Sequence, residues 1–505
     1  MFSEKRIAIA LLVLLFAMQL AVLISRTDRQ PHLDEIEYLH ASWLMANGGQ
    51  LFTTIFEHHS PFLLAAVATL APHAERVGAL PFTTNARLLA GFFGLVAMLA
   101  YALIVWRDQP LGAPIAIAAF FASGSIWLHV IADVRAEPFA LAFFWIGAAL
   151  VVLPRKHVAL LAGVGVGAIV LAGFWTPKWP LCSAVIGIYA LIRARRQWYV
   201  PVLIATVIGF LGLVVLHLIA PLDTALFFMY DFSAGAYAHL KHEPEFVGHA
   251  PFRFAPGLFS LPIIAAASVI VAAAAYLDRA RRAALLFIAL FFVAVLEIRF
   301  VHPYPAVWLH NYGLWSLSAA AILASLPAAL SSLFARARIS ALTCAILPVT
   351  LSAIAMLFLL PKIVTLLVFG QGTTGTYWMS QRALVARMRP TDTVWMSSRF
   401  HPITVRDANH YWFGFDSGLL GVVNELRQTA RGREYLPPIE PLPICAALRG
   451  QSTVRFVSAP KPVAGMASEI RCFAELQASR RVQHTGIPQV YEILPQHPAG
   501  GRVVF

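Results

Sequence analysis

Long apolar segments separated by short polar ones fill the first 360 residues of the chain. Eleven of these segments are long enough, or nearly so, to cross a hydrocarbon core about 30 Å thick, which takes about 20 helical residues. The pattern predicts a polytopic α-helical membrane protein with about 11 transmembrane helices. Their spans are residues 7–25, 86–106, 112–131, 137–153, 158–175, 179–192, 199–220, 256–276, 283–300, 310–330 and 340–360.

The hydropathy falls after Pro361, and the tail alternates helical patterns such as "SQRALVARMRP" with short apolar runs such as "DTVWMSS" and "TVRFVSA". Alternation of this kind is typical of a small α/β domain. We therefore expect a transmembrane domain over residues 1–360 and a soluble α/β domain over 361–505. Two cysteines of the tail, Cys445 and Cys472, are able to form a disulfide in an oxidising compartment.

The connection after the first span, residues 26–85, contains two short helical patterns. In "DEIEYLHASWLMANGG" the apolar residues Ile36, Leu39, Trp43 and Leu44 recur on one side of a helix, and the pattern ends at a Gly-Gly pair. "PFLLAAVATLAP" is too short to span a bilayer. Both patterns predict helices that lie at the membrane interface.

Composition agrees with a membrane protein, because 59% of the 505 residues are hydrophobic and 12% are charged. The net charge of +13 does not indicate a nucleic-acid partner, since the basic residues form short clusters at helix ends, where anionic lipid headgroups attract them. Thirteen basic residues fall on the N-terminus and on the short connections that lie on the same side of the membrane as the N-terminus. The positive-inside rule then predicts a multi-pass plasma (inner) membrane protein with a cytoplasmic N-terminus and a periplasmic or otherwise extracytoplasmic tail.

The acidic pair Asp34 and Glu35 follows the first span on the predicted exterior face. Such a pair can take a proton from a hydroxyl group or bind a divalent metal such as Mg²⁺ or Mn²⁺. The alternative is structural: Asp34 would cap the interfacial helix, and Glu37 would complete a capping box. The sequence identifies no definite cofactor, and the candidate ligands for a divalent metal are Asp34 and Glu137.

Two short exterior turns carry further charges. "IADVRAEPFA" contains Arg135 and Glu137, which either form a salt bridge within the turn or serve a site. "FWTPKWPLC" contains Lys178 between two tryptophans, where a lysine either reaches the headgroups or neutralises a lipid phosphate.

The ninth span ends in "EIRFVHPYPAVWLHNYG", where prolines break the helix and a cavity is expected to receive the exposed backbone. Arg299 and His302 there suit a phosphate, with Tyr304 as a substrate contact, whereas the alternative for Arg299 is a side chain that reaches the headgroups. In "FEHHSPFLL" of the first loop, His59 is a candidate for hydrogen bonding or for contacting a phosphate.

Taken together and in order, these stretches resemble the GT-C glycosyltransferases, polytopic enzymes that take sugars from polyprenyl-phosphate donors. The chain is similar to the bacterial group of protein O-mannosyltransferases, the lipid A aminoarabinose transferase and the lipopolysaccharide-core transferases. The resemblance covers residues 1–320 and rests on "LDEIEY", "FEHHSPFLL", "DVRAEPFALAFF", "FWTPKWPL" and "RFVHPYP". The chain differs from many members in having "EHHSP" where they have "E-K-P-P".

The resemblance implies roles for individual residues. Asp34 would be the catalytic base or its metal-binding equivalent with Glu35 beside it, and Glu137 the second acid preceded by Arg135. Lys178 and Arg299 would lie near the donor phosphate. The implied enzyme is an inverting hexosyl- or pentosyltransferase that uses a lipid-phosphate sugar and acts on a glycan, lipid or protein hydroxyl.

Two alternatives remain at this stage. A transporter or flippase of lipid-linked sugars would also need a charged cavity, although such proteins often consist of two similar halves, and we find no internal symmetry in the sequence. An inactive scaffold with the same fold is the other alternative.

Overall fold

A computed structural model describes most of the chain. The described residues are 4–55, 57, 59–71, 78–154, 156–232, 234–235, 261–277, 282–301, 312–336, 350, 357, 361, 364, 375–396, 400–408, 423, 425–436, 443–450, 452–459 and 467–494.

The described chain is mostly helical. In order, the α-helices of five or more residues are α1 (Glu4–Ser25), α2 (Leu33–Ala46), α3 (Pro61–Ala68), α4 (Ala79–Asp108), α5 (Gly112–Phe121), α6 (Ala136–Val152), α7 (Val158–Trp175), α8 (Pro180–Ala194), α9 (Tyr199–Ile219), α10 (Leu222–Leu226), α11 (Leu261–Leu277), α12 (Arg282–Leu296), α13 (Gly313–Arg336), α14 (Gly375–Val385), α15 (Ala430–Tyr435), α16 (Pro443–Leu448) and α17 (Ala467–Ala478). Three π-helical turns occur at Leu128–Ala132, Phe227–Phe232 and Glu297–Val301.

A helix lies in each of the first ten predicted spans. Among the described residues, five helices, α1, α4, α7, α9 and α13, are long and apolar enough to cross a membrane, and four shorter apolar helices accompany them. Most of the last predicted span, 340–360, lies outside the described residues. The count of 11 transmembrane helices therefore stays a prediction.

The chain divides into two compact units. The helical unit comprises Met1–Thr27, Ala86–Leu218 and Lys241–Gly372, and the loop–tail unit comprises Asp28–Asn85, Ile219–Leu240 and Thr373–Phe505. The tail thus shares its unit with the first loop and with a second loop, so the division into domains at residue 360 stays a prediction.

Close contact between α6 and α7 organises one end of the helical unit. A Cβ atom built on Gly165 of α7 would lie 2.6 Å from the carbonyl oxygen of Gly147 in α6. Because real Cβ atoms do not approach a backbone oxygen so closely, only glycine permits this spacing. The aromatic rings of Phe139 and Trp175, one from each helix, stack with their centroids 4.5 Å apart. The start of α6 is thereby held near the end of α7.

In the loop–tail unit, α2 and α3 occupy the two stretches that the sequence predicts as interfacial helices, and they pack against each other. Helix α2 ends at Ala46, with Asn47 as its C-cap, and Gly48 then adopts a positive φ of 86°. Helix α3 begins at Pro61, and the side chain of Ser60 caps it by accepting a hydrogen bond from the backbone N–H of Phe62.

The tail contains a four-stranded sheet in the order β1 (Thr393–Trp395), β2 (Val454–Ser458), β4 (Val490–Ile493) and β3 (Val482–His484). Strands β1 and β2 are parallel, and the other two pairs are antiparallel. A buried hydrophobic cluster includes residues of three of these strands and of neighbouring segments: Leu384, Val394, Met396, Val405, Phe456, Ile487 and Val490. A disulfide between Cys445 and Cys472 joins α16 to α17.

Candidate active site

The acids at the start of α2 have different roles in the helix. The residue that caps α2 is His32, because its side chain accepts from the backbone N–H of Asp34 while the Glu35 carboxylate accepts from the backbone N–H of His32 at 3.0 Å. The structural alternative, in which Asp34 caps the helix, is therefore wrong. Glu35 is buried, whereas the side chain of Asp34 is 36% exposed.

A group of acids and one histidine lies next to Asp34 in the loop–tail unit. Glu37 follows Asp34 by three residues, so the two side chains share one side of α2. The buried Glu57 carboxylate accepts from the Nδ1 atom of His59 at 2.6 Å, and Glu37 lies 4.0 Å from the same nitrogen. One ligand atom from each of the three residues lies within 4.8 Å of the others, so this group can hold a metal ion.

Sequence reasoning did not select Glu37 and Glu57 as site residues. In the sequence, Glu37 belongs to the pattern that predicts a capped helix, and Glu57 belongs to the stretch "FEHHSPFLL". The signal that could identify them is their spacing to other candidates, because Glu37 is three residues from Asp34 and Glu57 is two from His59. What the spacing does not give is the contact between α2 and the segment that contains His59.

In the helical unit, two of the predicted residues, Arg135 and Lys178, meet at a third, Glu137, which lies in the first turn of α6. Its two carboxylate oxygens accept from Lys178 Nζ at 2.5 Å and from Arg135 Nε at 3.3 Å. Glu137 and Arg135 are buried, and Lys178 is 15% exposed. Arg135 forms the salt bridge within its own turn that the sequence offers as one alternative. Lys178 also pairs with Glu137, and this contact joins the two turns, which the sequence does not predict.

The turn that carries Lys178 is also tied to the end of α12. The buried Glu297 carboxylate accepts from the backbone N–H groups of Leu181 and Cys182 at the start of α8. A carboxylate at this position satisfies unpaired N–H groups and interacts favourably with the helix dipole. Glu297 is the first residue of the π-helical turn that contains Arg299. Arg299 is therefore only two residues along the chain from Glu297, which contacts the segment that follows Lys178.

Not every predicted residue can be placed. The side chain of Arg299, and the whole of His302 and Tyr304, lie outside the described residues. Asp34, Glu35 and His59 belong to the loop–tail unit, whereas Arg135, Glu137, Lys178 and Arg299 belong to the helical unit. The convergence of all these residues on one site stays a prediction.

The loop–tail unit holds one more group of titratable side chains, formed by His40, His401 and Asp407. Burial and the neighbouring His40 lower the pKa of His401 to about 4. Burial alone would raise the pKa of Asp407, but the two histidines lower it below its usual value. At neutral pH this group therefore contains a charged carboxylate beside an uncharged His401.

The fold of the chain is similar to that of solved structures along nearly its whole length. Among solved structures, the chain is similar to ArnT from Cupriavidus metallidurans bound to undecaprenyl phosphate, with a TM-score of 0.56, 14% sequence identity, and coverage of 95% of this chain and 97% of that one. ArnT from the same organism in the apo state gives a TM-score of 0.53 at 13% identity with the same coverage. The resemblance seen in the sequence is thereby confirmed at the level of the fold.

A further match is the oligosaccharyltransferase of Archaeoglobus fulgidus tethered to an acceptor peptide, with a TM-score of 0.46 and 14% identity, covering 90% of this chain and 69% of that one. No protein-family model matches the sequence, and no curated protein matches it.

Proposed function

We propose that this chain is a membrane glycosyltransferase that transfers a hexosyl or pentosyl group from a polyprenyl-phosphate donor to an acceptor hydroxyl outside the cytoplasm. The observation that carries the proposal is the fold likeness to ArnT along 95% of the chain, because that structure holds undecaprenyl phosphate. The acceptor belongs to one of three classes, a glycan, a lipid or a protein. The bilayer is the other partner, since the carrier chain stays within it.

The donor phosphate is assigned to the helical unit, where Lys178 is the partly exposed member of a cluster that is otherwise buried. Glu137 accepts from both Lys178 and Arg135 and so holds the ammonium in place before a phosphate arrives. Glu297 fixes the start of α8 next to the Lys178 turn, which supports a second contribution to the same phosphate from Arg299. Positive groups held in this way stabilise the charge that develops on the leaving phosphate.

The proton acceptor is assigned to Asp34. In the proposed step, Asp34 accepts the proton of the acceptor hydroxyl, whose oxygen forms a bond to the anomeric carbon as the bond from that carbon to the phosphate oxygen breaks. Polyprenyl phosphate leaves on the face opposite to the attack, and the anomeric configuration is inverted. Glu35 is a positioning residue in this account, because its carboxylate completes the cap of the helix that carries Asp34.

A divalent cation fits the loop–tail unit better than it fits Glu137. Both oxygens of Glu137 already accept from cationic side chains. Glu37, Glu57 and His59 instead converge within 4.8 Å, one helical turn from Asp34. A cation held there would supply positive charge that favours the deprotonated form of a nearby hydroxyl.

The composition of the loop–tail unit supports the proposed orientation. Its three segments, Asp28–Asn85, Ile219–Leu240 and Thr373–Phe505, come from the two long loops and the tail that the charge pattern places outside the cytoplasm. A disulfide in this unit is typical of an oxidising compartment. We therefore place Asp34, and the acceptor it activates, on the extracytoplasmic side.

Binding of undecaprenyl phosphate to the purified protein tests the assignment of Lys178. We expect Lys178→Met to weaken binding by about tenfold or more, because loss of a charge-assisted contact costs roughly 1.5–3 kcal/mol. Lys156→Met is the matched control, since Lys156 is exposed on a predicted cytoplasmic connection and should leave binding unchanged. Lys178→Arg keeps the positive charge, so comparing it with Lys178→Met separates loss of the charge from a folding defect. Equal affinities for wild type, Lys178→Met and Lys178→Arg would contradict the assignment.

A further inference from the structure

Two histidines and a carboxylate from distant parts of the sequence meet inside the loop–tail unit. His40 lies on α2, and His401 and Asp407 lie in the tail, 361 and 367 residues further on. His40 Nε2 is 2.5 Å from Asp407 Oδ2, and His401 Nε2 is 2.8 Å from Asp407 Oδ1. Both rings are fully buried, and the Asp407 side chain is 5% exposed. The three ligand atoms all lie within 4.8 Å of one another.

The backbone around the two tail residues is fixed by its own hydrogen bonds. Asp407 forms a β-bridge with Val394 of β1, so it is attached to the edge of the sheet. The side-chain amide of Gln381 in α14 donates to the carbonyl oxygen of His401 at 2.7 Å. The tail therefore presents His401 and Asp407 from a rigid base, as a binding site requires.

The hydrogen bonds of the two His40 ring nitrogens show which of them faces Asp407 and can bind a metal ion. His40 Nδ1 is 2.8 Å from the carbonyl oxygen of Ile403. A carbonyl oxygen only accepts, so Nδ1 carries the hydrogen, and in a neutral ring Nε2 then has a lone pair directed at a carboxylate oxygen. An imidazole nitrogen and a carboxylate oxygen within hydrogen-bonding distance share a proton, and a metal ion can take the place of that proton. Donation from the other ring nitrogen to a backbone carbonyl is the arrangement that orients metal-binding histidines.

We propose that His40, His401 and Asp407 form a metal site that takes a transition-metal ion of the Zn²⁺ class and fastens helix α2 to the 401–407 segment of the tail. Two imidazole nitrogens and one carboxylate favour Zn²⁺ or a neighbouring transition metal over Mg²⁺, which prefers oxygen ligands. The site is separate from the proposed catalytic residues, none of which contributes a ligand. Its position six residues from Asp34 gives it a role in fixing the helix that carries the base.

The ligand spacing needs only a small adjustment to receive Zn²⁺. Ligand bonds of about 2.0–2.2 Å at tetrahedral angles separate the ligand atoms by roughly 3.4 Å. The two nitrogen–oxygen distances of 2.5 and 2.8 Å would open by less than about 1 Å. Rotation of the side chains alone can supply a change of this size.

Metal analysis of the full-length protein in detergent, after loading with Zn²⁺ and removal of the excess, tests the proposal. We expect about one tightly held Zn²⁺ per chain, lost on Asp407→Asn and on His401→Gln. Removal of the metal with a chelator should lower the unfolding temperature of the wild-type protein and leave that of Asp407→Asn unchanged. Binding of Co²⁺ in place of Zn²⁺ should give the visible absorption of a nitrogen-coordinated, near-tetrahedral ion in wild type but not in the variants.

An exposed histidine of the tail, His484, supplies the matched control. His484→Gln removes an imidazole outside the cluster and should leave the Zn²⁺ content and the Co²⁺ spectrum unchanged. Two results would overturn the proposal: a wild-type protein that retains no Zn²⁺, which would leave the cluster a hydrogen-bonded triad only, or a Zn²⁺ content that is lost in His484→Gln and kept in Asp407→Asn. Neither result depends on glycosyltransferase activity, so the metal site and the proposed function can fail separately.

Discussion

At the scale of single residues, the Lys178 ammonium is directed by a buried carboxylate rather than by the membrane surface. The sequence indicates that Glu137, Arg135 and Lys178 are candidates, because ionisable groups so close to apolar spans are costly unless paired or used. It does not indicate that Glu137 and Lys178 pair, because their contact joins turns 41 residues apart. That information lies in the packing of α6 against α7.

We predict that Glu137→Gln destabilises the helical unit by roughly 3–5 kcal/mol, because it leaves two buried or partly buried cations without their common anion. Thermal unfolding of the purified protein measures the effect. Adding Lys178→Met to Glu137→Gln should restore part of the loss, since the double variant no longer holds an uncompensated ammonium. A Glu137→Gln protein as stable as wild type would contradict the buried pairing.

At the scale of secondary-structure elements, hydropathy predicts the positions of most helices but not how they end or meet. Helix α2 occupies the predicted stretch, yet its cap is His32 and not Asp34. Histidine is not among the favoured N-cap residues, so sequence preferences alone select the aspartate. The cap of α8 cannot be predicted from the local sequence, because the capping carboxylate belongs to Glu297, 115 residues from Cys182.

The close approach of α6 and α7 gives a prediction at this scale. Gly165→Ala places a methyl group against the Gly147 carbonyl and should push the helices apart, costing roughly 1–3 kcal/mol and lowering undecaprenyl phosphate binding, because Glu137 and Lys178 depend on this packing. Gly173→Ala in the same helix is the control, since a Cβ there has nothing within 4 Å. Unfolding temperature and binding measure both effects. Indistinguishable behaviour of the two variants would show that the α6–α7 spacing does not position the pair.

At the scale of the whole molecule, the loop–tail unit collects segments that are far apart in the sequence. The charge pattern predicts that they share one side of the membrane, and the alternating pattern of the tail predicts its helices and strands. Nothing in either pattern predicts that residues 28–85 fold with the tail, because this association rests on individual contacts such as the one between His40 and Asp407. Local periodicity carries no information about partners so distant.

Labelling with a membrane-impermeant maleimide tests the proposed orientation. We predict that Thr53→Cys, in an exposed part of the first loop, reacts in cells whose inner membrane is intact. Lys156→Cys, exposed on a predicted cytoplasmic connection, should react only after that membrane is permeabilised. The reverse labelling pattern would place Asp34 in the cytoplasm and exclude the proposed acceptor side.

Sugar transfer by the purified, reconstituted protein is the most direct measurement of the central claim. With labelled undecaprenyl-phosphate hexoses and pentoses and a cell-envelope extract as acceptor, we expect wild type to move label from the lipid to the acceptor. Asp34→Asn should be slower by about 10²–10⁴-fold, as expected for loss of a general base. Asp28→Asn, which alters an exposed side chain earlier in the same loop, should be as active as wild type. An Asp34→Asn protein that transfers sugar as fast as Asp28→Asn would contradict the account.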